Sequence, residues 1–151
     1  MTILREKVFA YITHGERLLV FSHPDFPEAG IQVPAGTMHE GEDPDEEVMR
    51  EAFEETGLRG LRLNAFLGQC DFPVPERGEM HRRRFYHLLC DGEPPERWRH
   101  QESDPGEGPT EPITFELFWV TLPDGVPELS PGHGEMLNRL RELMNLRGES
   151  R

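Results

Sequence analysis

Four glutamates crowd one polar face of a segment that should form a helix: Glu47, Glu51, Glu54 and Glu55. Like charges three or four residues apart are neighbours on a helix, and each such pair costs roughly 0.2–0.5 kcal/mol. Arg50 is the one base among them and cannot neutralise four carboxylates. A hard divalent cation would reverse the sign of these terms, because Mg²⁺ prefers carboxylate oxygens. The pattern favours a metal site over a plain acidic surface, although natural surfaces tolerate costs of this size.

The segment that carries these acids has a clear beginning and end. Asp43 can cap a helix and Pro44 suits its first turn, whereas Gly57 suits the left-handed residue that ends it. The other half of the helical wheel is apolar and should face the core: Val48, Met49, Ala52 and Phe53. The sequence therefore predicts a helix over residues 43–56 with one core face and one acidic face.

The segment from Gly36 to Leu58 reads GTMHEGEDPDEEVMREAFEETGL. It resembles the Nudix box, in which a glycine, five residues, a glutamate and seven residues precede an Arg-Glu pair and a closing Glu-Glu-X-Gly run. Every fixed position is matched, with Glu42 as the first glutamate and Arg50-Glu51 as the pair. Val33-Pro34-Ala35-Gly36 stands where family members often have Leu-Pro-Gly-Gly, so Ala35 is a departure.

This resemblance implies a metal centre that binds Mg²⁺ or Mn²⁺. Its ligands would be Glu51, Glu54, Glu55 and a backbone carbonyl near Ala35 or Gly36. Arg50 would orient one carboxylate through a salt bridge, and Glu42 would support the site from the junction of loop and helix. Glu54, Glu51 and Arg50 are the expected catalytic residues.

The resemblance also implies a reaction, namely hydrolysis of a pyrophosphate bridge. The metal would neutralise phosphate charge and lower the pKa of a bound water. The proton would pass to one of the helix glutamates or to a distant acid, for which the sequence offers Glu102, Glu107, Glu111 and Glu116.

The predicted activity is that of a metal-dependent pyrophosphohydrolase acting on a nucleoside diphosphate linked to another moiety. Nucleotide sugars, dinucleoside polyphosphates, nucleoside triphosphates and inositol pyrophosphates all stay open. One alternative is a nucleotide-binding sensor on a Nudix scaffold, but such proteins often lose the glutamates that are present here. Another is an RNA 5′-end pyrophosphohydrolase, which should need a basic surface that a net charge of −13 disfavours.

Outside the box, three residues are candidates for substrate contact. Arg82 and Arg84 should share one face of a strand, where they either meet phosphates or balance the acidic protein. Trp98 could stack on a base or could anchor a loop. Lys7 is the only lysine of the chain, and we interpret the excess of arginine as coding bias.

The remaining elements predict how the helix is held. Strands are expected at 7–13, 17–21, 31–33, 61–69, 83–89 and 113–121, loops at 35–41 and 91–112, and a final helix at 134–146. Together with the resemblance, they predict an α/β fold, namely a Nudix-type α/β/α sandwich with a mixed central sheet, as a single Nudix hydrolase domain over residues 1–151.

Length and charge limit the partners. A chain of 151 residues without an apolar run of about 18 residues or an apolar N-terminal leader predicts a cytoplasmic domain that crosses no membrane. Cys70 and Cys90 show neither metal-ligand nor disulfide spacing. The net charge of −13 disfavours duplex nucleic acid and anionic membranes. A small phosphorylated nucleotide-like substrate is the expected partner, and the protein is expected to be a monomer or homodimer.

Overall fold

Seven strands form one mixed sheet in the computed structural model, which describes residues 1–102 and 112–146. In chain order they are β1 (Ile3–His14), β2 (Arg17–Ser22), β3 (Ala35–Thr37), β4 (Leu61–Val74), β5 (Glu79–Cys90), β6 (Arg97–Glu102) and β7 (Ile113–Thr121). The spatial order is β4-β5-β1-β2-β7-β6, and β3 pairs with β1. Strand β1 runs parallel to β5, and the other pairs are antiparallel.

Two α-helices accompany the sheet in the described residues, α1 (Pro44–Thr56) and α2 (Leu137–Leu143). The carboxylate of Asp43 accepts a hydrogen bond from the Asp45 amide at 3.1 Å, as a helix cap does. Gly57 ends α1 with φ 77°, and its amide donates to the Phe53 carbonyl at 2.7 Å. The predicted first helix is confirmed, whereas the last helix is shorter than predicted because turns precede it.

The two helices cover opposite faces of the sheet, because successive side chains of a strand alternate between faces. Val8 and Ala10 of β1 belong to the core cluster that contains Ala52 of α1. Phe9 of β1 belongs to the other cluster, which contains Leu140 of α2. The α/β/α sandwich with a mixed sheet is therefore confirmed.

Two predicted segments were wrong. Residues 31–33 form only isolated bridges, and the strand lies at Ala35–Thr37, where a loop was expected, because β1 offers it a pairing edge. The predicted loop 91–112 contains strand β6, which pairs with β7, while residues 103–111 lie outside the described part. Alternation in β6 leaves Arg97, Arg99 and Gln101 exposed and turns Trp98 and His100 inward.

The two sides of α1 also differ from the prediction. Phe53 is 41% exposed instead of facing the core, and the Arg59 guanidinium lies over its ring. Glu47, Glu51 and Glu55 are buried although their face was expected to be polar. The glutamate face therefore packs against other parts of the chain. None of the helices in residues 1–102 and 112–146 has the length and apolar character needed to cross a membrane.

Candidate metal centre

Strand β3 and helix α1 meet at the glutamates. A Cβ added at Gly36 would lie 2.1 Å from Cδ of Glu51, so only glycine lets this carboxylate rest against the backbone. The amide of Ala35 donates to Oε1 of Glu55 at 3.1 Å. Glu51 thus packs directly against the backbone of Gly36, and Glu55 accepts a hydrogen bond from Ala35.

Arg50 holds three carboxylates together. Its Nη1 donates to Oε2 of Glu54 at 2.8 Å, and its Nη2 lies 3.3 Å from Oε2 of Glu51. Its Nε donates to Oε1 of Glu47 at 3.2 Å, and its Nη2 contacts the other oxygen of the same carboxylate. Hydrogen bonding to Glu47 is the main cause that raises the pKa of Arg50. The guanidinium therefore fixes the side chains whose repulsion would otherwise spread them.

The fold adds a distant acid to this group. Carboxylate oxygens of Glu51, Glu54 and Glu102 all lie within 4.8 Å of one another, with Glu102 at the end of β6. Glu116, another acid considered from the sequence, is bound by Arg97 and Arg99 instead. Glu107 and Glu111 lie outside the described residues. Three clustered carboxylates form a donor set that suits a hard divalent cation.

Burial changes the protonation of these acids. It raises the pKa of Glu51 to about 8, against the opposing effect of Arg50. It also raises the pKa of Glu55 well above its ordinary value, and Glu102 adds to this effect. Without a cation, the site therefore favours protons on these two carboxyl groups at neutral pH. A bound divalent cation would favour the ionised form, so metal and protons should compete for them.

A second polar group lies where the loop joins the helix. Oε1 of Glu42 accepts a hydrogen bond from the His39 amide at 2.8 Å, and this bond lowers the pKa of Glu42. Ligand atoms of His39, Glu42 and Glu47 lie within 4.8 Å of one another. Since Glu47 also contacts Arg50, this group is connected to the glutamate cluster.

A cleft of about 770 Å³ opens beside the glutamates. Its acidic lining consists of Glu51, Glu55 and Glu102 together with Glu40 and Glu79. Its basic lining consists of Arg5, Lys7 and Arg77. A cavity with both charge types can accept a cation and a polyanion side by side.

The three predicted substrate residues do not line this cleft in the described part of the chain. Arg82 lies 3.3 Å from Asp71, and Arg84 donates to Glu6 at 2.6 Å. The Trp98 indole donates to the Thr56 carbonyl at 2.9 Å and packs against the core. Their role in substrate contact stays a prediction, and the observed contacts favour charge balance and anchoring.

Sequence reasoning gave no role in the cleft to Lys7. The available signal was that the only lysine of the chain lies in the first predicted strand. Glu102 was one of four candidate acids from the sequence, which gave no reason to choose it because a stretch rich in proline and glycine obscured strand β6.

Comparisons with known proteins identify the family and the fold. The model of the NUDIX domain matches residues 4–140. The fold is similar to a MutT NUDIX hydrolase from Burkholderia pseudomallei, with a TM-score of 0.66 and 24% identity over 91% of this chain and 98% of that one. It is also similar to a UDP-X diphosphatase, with a TM-score of 0.65 and 18% identity over 99% and 67%.

A third structure, that of the E. coli ORF135 protein, has a TM-score of 0.67 and 17% identity over 99% of this chain and 96% of its own. A search among curated proteins finds no match. The likeness to these solved structures concerns the fold.

Proposed function

Because the chain belongs to the NUDIX family and is therefore a hydrolase of phosphoanhydride substrates, we propose that it is a divalent-metal-dependent pyrophosphohydrolase of small nucleotide derivatives. Mg²⁺ or Mn²⁺ is the proposed cofactor. The substrate is a nucleoside diphosphate linked to another moiety, such as a phosphate chain or a sugar. Water would cleave the bridge and release two phosphorylated products.

The observation that carries this proposal is the carboxylate cluster of Glu51, Glu54 and Glu102 beside the cleft. Glu51 and Glu54 lie on α1, whereas Glu102 lies on β6. Arg50 offsets only part of their mutual repulsion, and a divalent cation would stabilise all three carboxylates in the ionised form. The proposed ligands are Glu51, Glu54, Glu55 and a backbone carbonyl of Ala35 or Gly36, and Glu102 lies beside them. Oxygen donors of this kind fit Mg²⁺ or Mn²⁺ and do not fit a soft metal.

Each residue has a task in the proposed reaction. When bound, the ion would neutralise phosphate charge and make water a stronger nucleophile. Arg50 keeps Glu54 and Glu51 in place through its hydrogen bonds. Glu102 would take the proton as the water oxygen attacks phosphorus and the bridging P–O bond breaks. Its place in the cluster supports this assignment over Glu116, which two arginines bind.

Exchange of Glu54 for Gln tests the proposed site. Glu54→Gln keeps the shape of the side chain but removes its charge, so metal-dependent turnover should fall by more than the roughly 10–100-fold typical for loss of an outer-shell partner. The measurement is product release from a panel with Mg²⁺ or Mn²⁺: a nucleoside triphosphate, a dinucleoside polyphosphate, a nucleotide sugar and an inositol pyrophosphate. Titration with Mn²⁺, followed by electron paramagnetic resonance, measures the change in metal affinity separately.

Glu46→Gln is the matched control, because Glu46 lies on the same helix and is exposed. This variant should retain native turnover. Equal activity of the Glu54→Gln and native proteins would remove the catalytic role given to the helix. Metal binding without turnover of any substrate by the native protein would instead support a sensor.

A further inference from the structure

Lys7 occupies an unusual position for the single lysine of an acidic chain. Its ammonium donates to Oγ1 of Thr37 at 2.6 Å, and β1 places it between Thr37 of β3 and Arg83 of β5. The residue is half-buried. No carboxylate oxygen of the described residues lies within 4.0 Å of Nζ. A partly buried charge without a countercharge is unfavourable, so this placement needs an explanation.

Other cations surround Lys7. Burial lowers the pKa of Lys7, and the guanidinium groups of Arg83, Arg77 and Arg5 lower it further. Glu79 opposes them, yet its carboxylate is already engaged by Arg5 at 3.2 Å and by His81 at 2.9 Å. Four bases with one shared acid repel one another. An anion bound between these bases would reduce that repulsion.

Arg83 has a structural explanation of its own. Its Cζ lies 3.9 Å from the centre of the Phe72 ring and 5.0 Å from that of Phe9, and its Nη1 donates to the Pro131 carbonyl at 3.1 Å. Lys7, Arg5 and Arg77 line the cleft that also contains Glu51 and Glu55. Lys7 and Arg77 therefore remain to bind a ligand in the cleft, with Arg5 beside them in its pair with Glu79.

We propose that Lys7, held by Thr37 and assisted by Arg5 and Arg77, binds substrate phosphate that the metal does not hold, and that the substrate carries three or more consecutive phosphates. Nucleoside triphosphates and dinucleoside polyphosphates meet this requirement, whereas nucleotide sugars have only two phosphates. This inference rests on the proposed function and narrows its substrate class. Its basis is that Lys7, whose ammonium donates to a hydroxyl instead of a carboxylate, lines one cleft with Arg5, Arg77 and the clustered acids.

The test compares Lys7→Met with Lys7→Arg in the full chain. Lys7→Met should lower kcat/KM roughly 10–100-fold for a nucleoside triphosphate and for a dinucleoside polyphosphate, because a charge-assisted hydrogen bond is lost. For a nucleotide sugar, kcat/KM should fall less than about 3-fold, because this substrate has no third phosphate for Lys7 to bind. Lys7→Arg should restore most of the activity.

Arg62→Met is the control for net charge, because Arg62 is exposed and pairs with Asp91 on the other end of the β4–β5 hairpin. This variant should have the native kcat/KM for all substrates. Should Lys7→Met fail to fold, Arg77→Met serves instead, because Arg77 is exposed and its loss removes no core contact. An equal loss on all substrates, or no loss on any, would overturn the proposal.

Calorimetric titration with inorganic tripolyphosphate separates this proposal from the proposed function. Tripolyphosphate should bind the native protein, and Lys7→Met should weaken that binding roughly 10-fold or more. Native affinity in the variant would refute the phosphate site even if turnover is normal. Absence of turnover with normal, Lys7-dependent tripolyphosphate binding would refute the proposed hydrolase activity and leave the phosphate site intact.

Discussion

Buried carboxylates are the feature of single residues that distinguishes this chain. Glu51 is 8% exposed and Glu55 is 7% exposed, although ionised acids are rarely buried without partners. Arg50 compensates Glu51, and the Ala35 amide compensates Glu55. Each partner stabilises only part of the charge, and burial still raises both pKa values. Such incompletely compensated acids are typical of functional sites.

The Gly36→Ala exchange should damage the site and spare the fold. The new Cβ would overlap Cδ, Cγ and Oε2 of Glu51, so this carboxylate must leave its position against the backbone. Metal affinity and turnover should fall about 10–100-fold, as for other changes that misplace ligands. The thermal midpoint should change little. Manganese titration, turnover and thermal unfolding of the same preparation provide the three values.

Gly134→Ala serves as the control, since its nearest neighbour would be the terminal Cδ1 of Leu137 at 3.2 Å, far from the glutamates. It should keep native metal affinity. Native turnover in Gly36→Ala would show that the contact between Gly36 and Glu51 is irrelevant to the site.

Strand β6 controls the C-terminal end of helix α1. The last carbonyls of a helix lack intrahelical partners. Here the Trp98 indole donates to Thr56 O at 2.9 Å and His100 Nε2 donates to Glu54 O at 2.8 Å, since a carbonyl only accepts. Glu102 follows on the same side of the strand and joins the glutamate cluster. One strand thus both caps the helix and supplies its distant acid.

Removal of the His100 side chain should affect both tasks. His100→Ala should lower the free energy of unfolding by about 0.5–1.5 kcal/mol, because the Glu54 carbonyl loses its donor. It should also lower kcat, because β6 then holds Glu102 less firmly against α1. Urea unfolding and steady-state kinetics measure the two effects. Gln101→Ala, on the exposed side of β6, should change neither. A stability loss with unchanged kcat would limit β6 to a structural role.

On the scale of the whole molecule, the charge is unevenly distributed. The chain has a net charge of −13, yet its basic residues around Lys7 and its acids at α1 line one cleft. A net charge of −13 disfavours long polyanions such as RNA, while the basic residues of the cleft would accept a short phosphate chain, as proposed above.

The same charge distribution predicts how stability depends on pH. Burial raises the pKa of Glu51 to about 8, so the folded protein holds a proton that the unfolded chain releases near its ordinary value. Glu55 acts in the same direction. Stability of the metal-free protein should therefore fall as pH rises from about 4.3 to about 8, because folding takes up protons in this window.

Mg²⁺ should reverse this trend, since it replaces the protons at the ionised site. The increase in thermal midpoint caused by about 1 mM Mg²⁺, roughly 1,000 times a Kd of about 1 μM, should be larger at pH 8 than at pH 5.5. Differential scanning fluorimetry with and without EDTA measures it. Glu55→Gln should flatten the metal-free profile. A metal-free protein that gains stability up to pH 8 would contradict this account.

The sequence alone was sufficient for the family, the fold class and helix α1. Capping residues Asp43 and Gly57 act locally, and the glutamate spacing is a property of one helix, so neither depends on distant contacts. The strands with apolar alternation were found for the same reason. Strand β3 was missed because its small residues have little strand preference and pair only where β1 offers an edge.

Tertiary structure decided everything that depends on distant pairs. Only the fold shows that Glu102 joins Glu51 and Glu54, since Glu102 lies 48 positions after Glu54 in the chain. Only the fold shows that Lys7 lies in the same cleft, and that Arg82 and Arg84 pair with acids elsewhere. The sequence specifies which charges exist, whereas strand register and helix packing determine which of them meet.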